Sequence, residues 1–233
     1  MTSHALLLNM LLLVATYSEL PIMQFPSKGK TTLSLGMEAK ADVERTGTVT
    51  RVSIEADDLQ LPQTLAAGMN TYVVWAVSPE GSFDNLGELG LSDSEGKLQA
   101  TTSFDRFGIL ITAEPHYMVD KPSGTILFKN DVHRSVPSVP SRIEVGTYDY
   151  AGLPRSVQPV PALVMEARAS ITIAAAAQAD KRAEVEFRQA RVSLDTMEEL
   201  FKRDSHPDVV AAAAHEAIRR GQRAATAARQ SAR

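Results

Sequence analysis

The apolar residues of this chain change their spacing once, and that change limits what it can fold into. From Leu35 to about Asn130 they recur at every second position, the period of a strand with one buried face. From Ala162 onward the chain is alanine-rich, its larger apolar residues recur every third or fourth position, and no proline interrupts until Pro207. The first pattern demands a sheet and the second demands helices. Composition allows both to be buried, since 44% of the 233 residues are hydrophobic and the net charge is only −4. The chain has no cysteine, which excludes disulfide stapling, thiolate catalysis and zinc knuckles, and leaves His and carboxylates for any metal.

Within the period-two region, Leu35, Met37, Ala39, Ala41 and Val43 form one alternating run, and Thr48, Thr50, Val52, Ile54 and Ala56 form the next after a Thr46-Gly47 turn. Thr71 to Ser78, rich in β-branched and aromatic residues and closed by Pro79-Glu-Gly81, is the clearest strand. Shorter candidates follow at Asn85–Gly90, Lys97–Ser103, Gly108–Ala113 and Gly124–Lys129. Seven short strands in about 95 residues predict an immunoglobulin-like antiparallel β-sandwich, with Trp75 as its core anchor. The fold class expected is therefore α+β, the sandwich being followed by a long alanine-rich α-helical hairpin.

The domain limits follow from composition. Residues 1–18 contain the apolar run Ala5–Ala15, which has the length of a signal-peptide core and is too short to span a membrane, so the segment is read as a signal peptide, with a buried N-terminal element as the alternative. Residues 30–130 are the sandwich, and 131–161, with Pro137, Pro140, Pro154, Pro159 and Pro161, form a linker in which Arg142–Tyr150 can add an edge strand. Residues 162–233 are the helical hairpin, turned at Asp204-Ser-His-Pro207 with Ser205 or His206 near the cap. If Ala162–Lys202 is one helix it is about 60 Å long, and the hairpin projects as an arm. Its first seam runs through Ile173, Ala176, Asp180, Ala183, Phe187, Ala190, Leu194, Met197 and Phe201, and its second through Val210, Ala214, Ala217, Gly221, Ala224 and Ala228.

Charge is unevenly divided. From Pro159 onward there are 12 basic and 10 acidic residues, leaving 12 basic and 18 acidic for the rest. Arg219, Arg220, Arg223, Arg229 and Arg233 cluster in the last helix without a single aromatic neighbour, a pattern for a solvated face and not for nucleic acid. An acidic partner or anionic surface is the alternative use of that cluster.

The stretch Thr71–Gly81, followed by Asn85-Leu-Gly-Glu-Leu-Gly90, Phe107–Pro115 and Lys121-Pro-Ser-Gly124, resembles two groups of bacterial β domains. One is the extracytoplasmic domain of the anti-sigma-K family. The closer is the β domain with an alanine-rich helical segment found ahead of outer-membrane-protein-A-like domains in envelope proteins. The resemblance implies an exported, periplasmic or envelope-associated protein. It implies no catalytic residues, and neither sigma-factor sequestration nor direct wall binding carries over, because the segments responsible have no counterpart here.

Chemical motifs are sparse. Ser27-Lys-Gly-Lys-Thr-Thr32 lacks the first glycine of a phosphate-binding loop, which would fall at Gln24, and a β-like run follows it. Ser92-Asp-Ser-Glu-Gly96 lacks the late glutamate of a calcium loop and reads as a hairpin turn. His116 with Asp120, and His133 with Asp131, offer imidazole and carboxylate without a fixed spacing, and His206 and His215 read as a helix cap and a polar-face residue. The expectation is no catalytic, cofactor-binding or metal-ligating residue, and no cofactor. The expected function is that of a non-enzymatic envelope module binding a protein partner, or a second copy, through the hairpin and the loops Pro79–Asn85 and His116–Ser123. Neither nucleic acid nor a membrane span beyond the N-terminal segment is expected. The competing expectation is an extracytoplasmic sensor related to anti-sigma-K proteins.

Overall fold

Two antiparallel sheets enclose one hydrophobic core in the computed structural model, which describes residues 17–22, 28–34, 38–129, 139–144, 152–154 and 160–233. The strands are β1 (Tyr17–Ile22), β2 (Lys28–Ser34), β3 (Glu38–Thr46), β4 (Val49–Ala56), β5 (Thr71–Val77), β6 (Phe83–Glu88), β7 (Gly90–Ser92), β8 (Glu95–Thr102), β9 (Gly108–Glu114), β10 (Ile126–Lys129) and β11 (Val139–Glu144). One sheet has the order β2-β3-β4-β8-β7 and the other β10-β9-β5-β6. The fold is α+β, as expected. The apolar run Ala5–Ala15, Leu35, Met37, Asp131 and His133 lie outside the described residues.

Alternation builds the core. Ala39, Ala41 and Val43 of β3 and Val52, Ile54 and Ala56 of β4 point at Tyr72, Val74 and Ala76 of β5 and Ile109, Ile111 and Ala113 of β9. Gly47, at φ +62, closes the β3–β4 hairpin in two residues, with Thr46 facing Val49. Asp93 and Ser94, both at positive φ, do the same between β7 and β8, so Ser92–Gly96 is the hairpin turn expected. At Leu89, fully buried between β6 and β7, the chain passes from one sheet to the other, with its N–H held by the Tyr72 carbonyl at 2.9 Å. The basic segment at Lys28 is an extended strand, and no helix follows it to present amides to a phosphate. In the proline-rich stretch, β11 pairs with β1 and not with an edge of either large sheet.

The helices depart from the expected hairpin. After the single turn α1 (Pro62–Leu65) come α2 (Ala162–Ala176), α3 (Ala179–Arg182), α4 (Glu184–Lys202) and α5 (Pro207–Gln230). The stretch 162–202 is thus not one 60 Å helix. Gln178 stands at φ 60, ψ 34, a left-handed conformation that ends α2, and Ala183 leaves helical geometry again before α4. One cluster joins Val164 and Ala167 of α2 to Met197 of α4 and Ala214, Ala217 and Ile218 of α5. A second joins Ala169 and Ala174 to Ala190 and to Ala224 and Ala228. The three long helices therefore run up, down and up.

This doubling back has a packing cause. In α2, nine of the fifteen residues are buried, against two in α4, so α2 is the central helix and needs cover on most of its sides. The seam read for α5 is buried at all six positions. The seam read for the preceding helix holds at Ala183, Ala190 and Met197 but leaves Ala176 and Asp180 exposed, because the break at Gln178 changes its phase. His206 caps α5, its Nδ1 accepting the Asp208 N–H at 3.4 Å, and Pro207 occupies the first turn.

Small residues set how closely α2 and α5 approach. A Cβ on Gly221 would stand 2.5 Å from Ser170 Oγ and 2.9 Å from its Cβ. Gly221→Ala raises intrinsic helix propensity by about 1 kcal/mol. Overpacking at such a contact costs about 1–3 kcal/mol, so the expected net effect is a lower urea midpoint, partly restored by adding Ser170→Gly. A Gly221→Ala protein more stable than its parent would show that the two helices are free to separate.

Candidate functional site

Every residue of β5 and of β9 is buried, so both faces of the inner pair of strands are covered. Tyr72, Val74 and Ala76 face the other sheet, while Val73, Trp75 and Val77 face away from it. Trp75 is therefore not the anchor between the sheets that its sequence context suggests. It lies on the outer face with Leu110, Val119, Tyr117 and Ile126, its ring edge-on to Phe83 at 6.1 Å. That face is where the chemistry-bearing side chains collect.

A hydrogen-bonded chain starts at the tryptophan. Trp75 Nε1 donates to Thr112 Oγ1 at 2.9 Å, the Thr112 hydroxyl donates to Glu114 Oε1 at 2.5 Å, and the same oxygen accepts the Ser123 N–H at 2.6 Å. The Ser123 hydroxyl then donates to the Ala113 carbonyl at 2.8 Å, closing the segment Pro115–Gly124 over the sheet. Asn85 fixes the same segment from β6: its amide donates to the Tyr117 and Val119 carbonyls at 3.0 and 3.1 Å. A register shift in the β5–β6 ladder sets Asn85 at that position, and Gly87 at φ +116 donates its N–H to Asn85 Oδ1.

The loop His116–Ser123, expected on the sequence to be a free binding loop, is instead the fastening between sheet and helices. Glu166 of α2 accepts the Tyr117 N–H at Oε2, 3.1 Å away, beside the carboxylate of Glu88, which itself accepts the Thr71 hydroxyl at 2.6 Å. The Tyr117 hydroxyl lies 3.1 Å from His215 Nδ1 of α5, with the rings perpendicular. Arg229 Nη1 donates to Asp120 Oδ2 at 2.8 Å. The helices are thus docked on the sandwich and do not project as an arm. His215 is a docking contact and not merely a solvated residue.

Magnitudes rank these contacts. The Arg229–Asp120 pair is 35% and 40% exposed, and such pairs contribute about 0–1 kcal/mol. Fully burying one large apolar side chain stabilises by about 1.5–3 kcal/mol, and Val73, Trp75, Val77, Leu110 and Val119 are all 2% exposed or less. Apolar burial holds the outer face closed, and the polar pairs fix its register.

Burial also controls protonation here. Glu114 is pushed up to about 8, with the Thr112 and Ser123 hydrogen bonds opposing the shift only in part. Glu166 is raised well above the usual carboxylate range by burial and then by the negative charge of Glu88. His116 is lowered to about 3 by burial, and neither ring nitrogen has a hydrogen-bond partner among the described residues. At neutral pH the interface thus holds a protonated Glu114 and a neutral His116 beside a Glu166 whose affinity for its proton is raised, an arrangement invisible in sequence because nothing local marks Glu114 or Glu166 as buried.

Other candidates stand apart from this cluster. Among the described residues no three His, Asp or Glu side chains gather closely enough to hold a metal ion, and His206 is an exposed cap. Pro79, Glu80 and Ser82 frame a depression of about 410 Å³ with Phe104, Asp105 and Arg106 at the opposite end of β5. Among the described residues no helix is long and apolar enough to cross a membrane. The chain matches no protein-family model, no curated protein and no solved structure.

The protonation pattern gives stability a definite pH dependence. Glu114 keeps its proton to about pH 8 in the fold but loses it near 4.5 when unfolded, so stability falls as pH rises through that interval, and Glu166 acts in the same direction. His116 binds a proton near 6.5 only when unfolded, so stability also falls as pH drops from 6.5 towards 3. Glu114→Gln keeps both accepted hydrogen bonds without the ionisable proton. Its urea midpoint should decline less than the parent's between pH 6.5 and 8.5, and parallel declines would remove Glu114 from the account.

Proposed function

We propose that this chain is a non-enzymatic interaction module of the bacterial cell envelope, an immunoglobulin-like sandwich bearing clamped helices, which works by presenting a rigid surface to a protein partner or to a second copy. The observation that carries this reading is the sealing of the side chains best suited to chemistry. Glu114, His116 and Glu166 are 0%, 0% and 1% exposed. A general acid or base acts only within hydrogen-bond reach of a substrate, and these three spend their polar atoms, where they are partnered at all, on the protein's own strand and loop.

Recognition has the surface it requires. Val185 and Val192 of α4 are each 60% exposed, and Val192 shares a shallow groove of about 390 Å³ with Thr196, Glu199, Leu200 and Arg203. The outward helix of the bundle therefore carries apolar side chains that its own fold leaves in water. The exported, envelope-associated location rests on the N-terminal apolar run and on the resemblance of the β domain.

Photo-cross-linking in bacterial cells from a photoreactive residue at Val192 tests the proposal. Capture of an identified wall-associated or outer-membrane protein, or of a second copy, is the expected result. Capture of an inner-membrane signalling protein would replace this reading with the extracytoplasmic sensor. Recovery of cytoplasmic proteins alone would overturn the envelope assignment.

A further inference from the structure

Where the C-terminal half of α5 passes the fastening loop, Met118 meets a row of polar side chains: Arg219, Gln222, Arg223, Thr226 and Gln230. Together with Ala227 they line a groove of about 340 Å³, which falls at the small end of ligand-binding clefts. Arg219 and Arg223 are one helical turn apart on the same face. Arg219 shares its charge with Glu216, whereas Arg223 makes no ion pair among the described residues. Arg220 faces elsewhere, towards Glu216 and Gln189 of α4, and Arg229 is engaged with Asp120. The four arginines of α5 oppose only Asp208 and Glu216 on that helix, so the groove lies in a positive field.

We propose that this groove binds an acidic peptide segment of a partner protein, one with carboxylates on either side of an apolar residue. The site rests on the interaction-module reading given above and gives it a ligand chemistry. Two guanidiniums a turn apart suit a pair of carboxylates, which they bind by charge-assisted and often bidentate hydrogen bonds. Met118 and Ala227 supply an apolar floor for the intervening side chain, Met being adaptable to different shapes. Gln222 donates to Thr226 at 3.2 Å, which leaves its amide oxygen to accept a peptide N–H. A lipid surface would call for protruding apolar side chains beside the arginines, whereas Met118 is half-buried and the large exposed apolar residue of α5 is Val209, at its opposite end. A nucleic acid would call for aromatic stacking, and α5 has no aromatic ring other than His215, which is turned to Tyr117.

The test uses the whole chain and a capped peptide of sequence Glu-Leu-Glu-Glu-Leu, read by calorimetry, with the Gln-substituted peptide, inorganic phosphate and phosphatidylglycerol vesicles as comparators. Saturable binding that weakens with salt, is absent for the Gln peptide, and falls about tenfold or more in the Arg219→Ala/Arg223→Ala double variant is the expected outcome. Both residues are on the surface, and unchanged far-ultraviolet circular dichroism of the variant verifies its fold. Equal affinity for the Gln peptide, equal affinity in the double variant, or binding only to phosphate or vesicles would overturn the proposal. The Val192 cross-link reads a different helix, so failure of the groove leaves the interaction reading standing.

Discussion

The inner strands β5 and β9 of the four-stranded sheet are buried on both faces, and the rest of the molecule is arranged around that fact. An antiparallel sheet at the surface ordinarily alternates apolar and polar side chains, but β5 and β9 offer valine, tryptophan and leucine on the side away from the sandwich core. Left in water, that side would be an exposed apolar patch. The segment Pro115–Gly124 folds back over it, and Glu166, His215 and Arg229 of the helices hold that segment in place. The bundle is thus fastened to the sheet through that segment and is not an appendage.

Covering a sheet this way encloses polar groups together with the apolar ones. Thr112 and Glu114 share the outer face with Trp75 because strand alternation leaves them no other direction. Their hydrogen bonds are therefore turned inward, to one another and to the backbone of the covering loop. Glu166 does the same from the helical side, spending a carboxyl on a single loop N–H. Buried carboxyls of this kind do little for stability, since removal from water opposes whatever their hydrogen bonds return. Their effect is on geometry: each fixes where one turn of loop or helix can sit.

The strands were readable in the sequence because one-sided burial writes itself as alternation, as at Ala39-Ala41-Val43 and Val52-Ile54-Ala56. Two-sided burial erases the alternation. In Thr71–Val77 all seven positions are buried, so nothing local says which way Trp75 points, and its assignment to the inter-sheet core reversed its true side. The break at Gln178 was hidden for a related reason: Ala174-Ala-Ala-Ala-Gln-Ala179 contains only good helix formers, and the turn there is imposed by the need to cover α2. The seam of α5 was legible because that helix keeps one dry stripe. Glu166, by contrast, looks like any surface glutamate until the loop that covers it is in place.

Trp75 is the single tryptophan of the chain, and it lies in the layer between the sheet and its covering loop. Its indole is bonded to Thr112, two steps from the Ser123 amide that holds the loop down. The molecule therefore carries a built-in optical reporter for the seam that fastens its helices to the sheet. A change in indole emission would register any loosening of that seam directly, unobscured by a second emitter of the same kind, and would distinguish undocking of the helices from global loss of the sandwich.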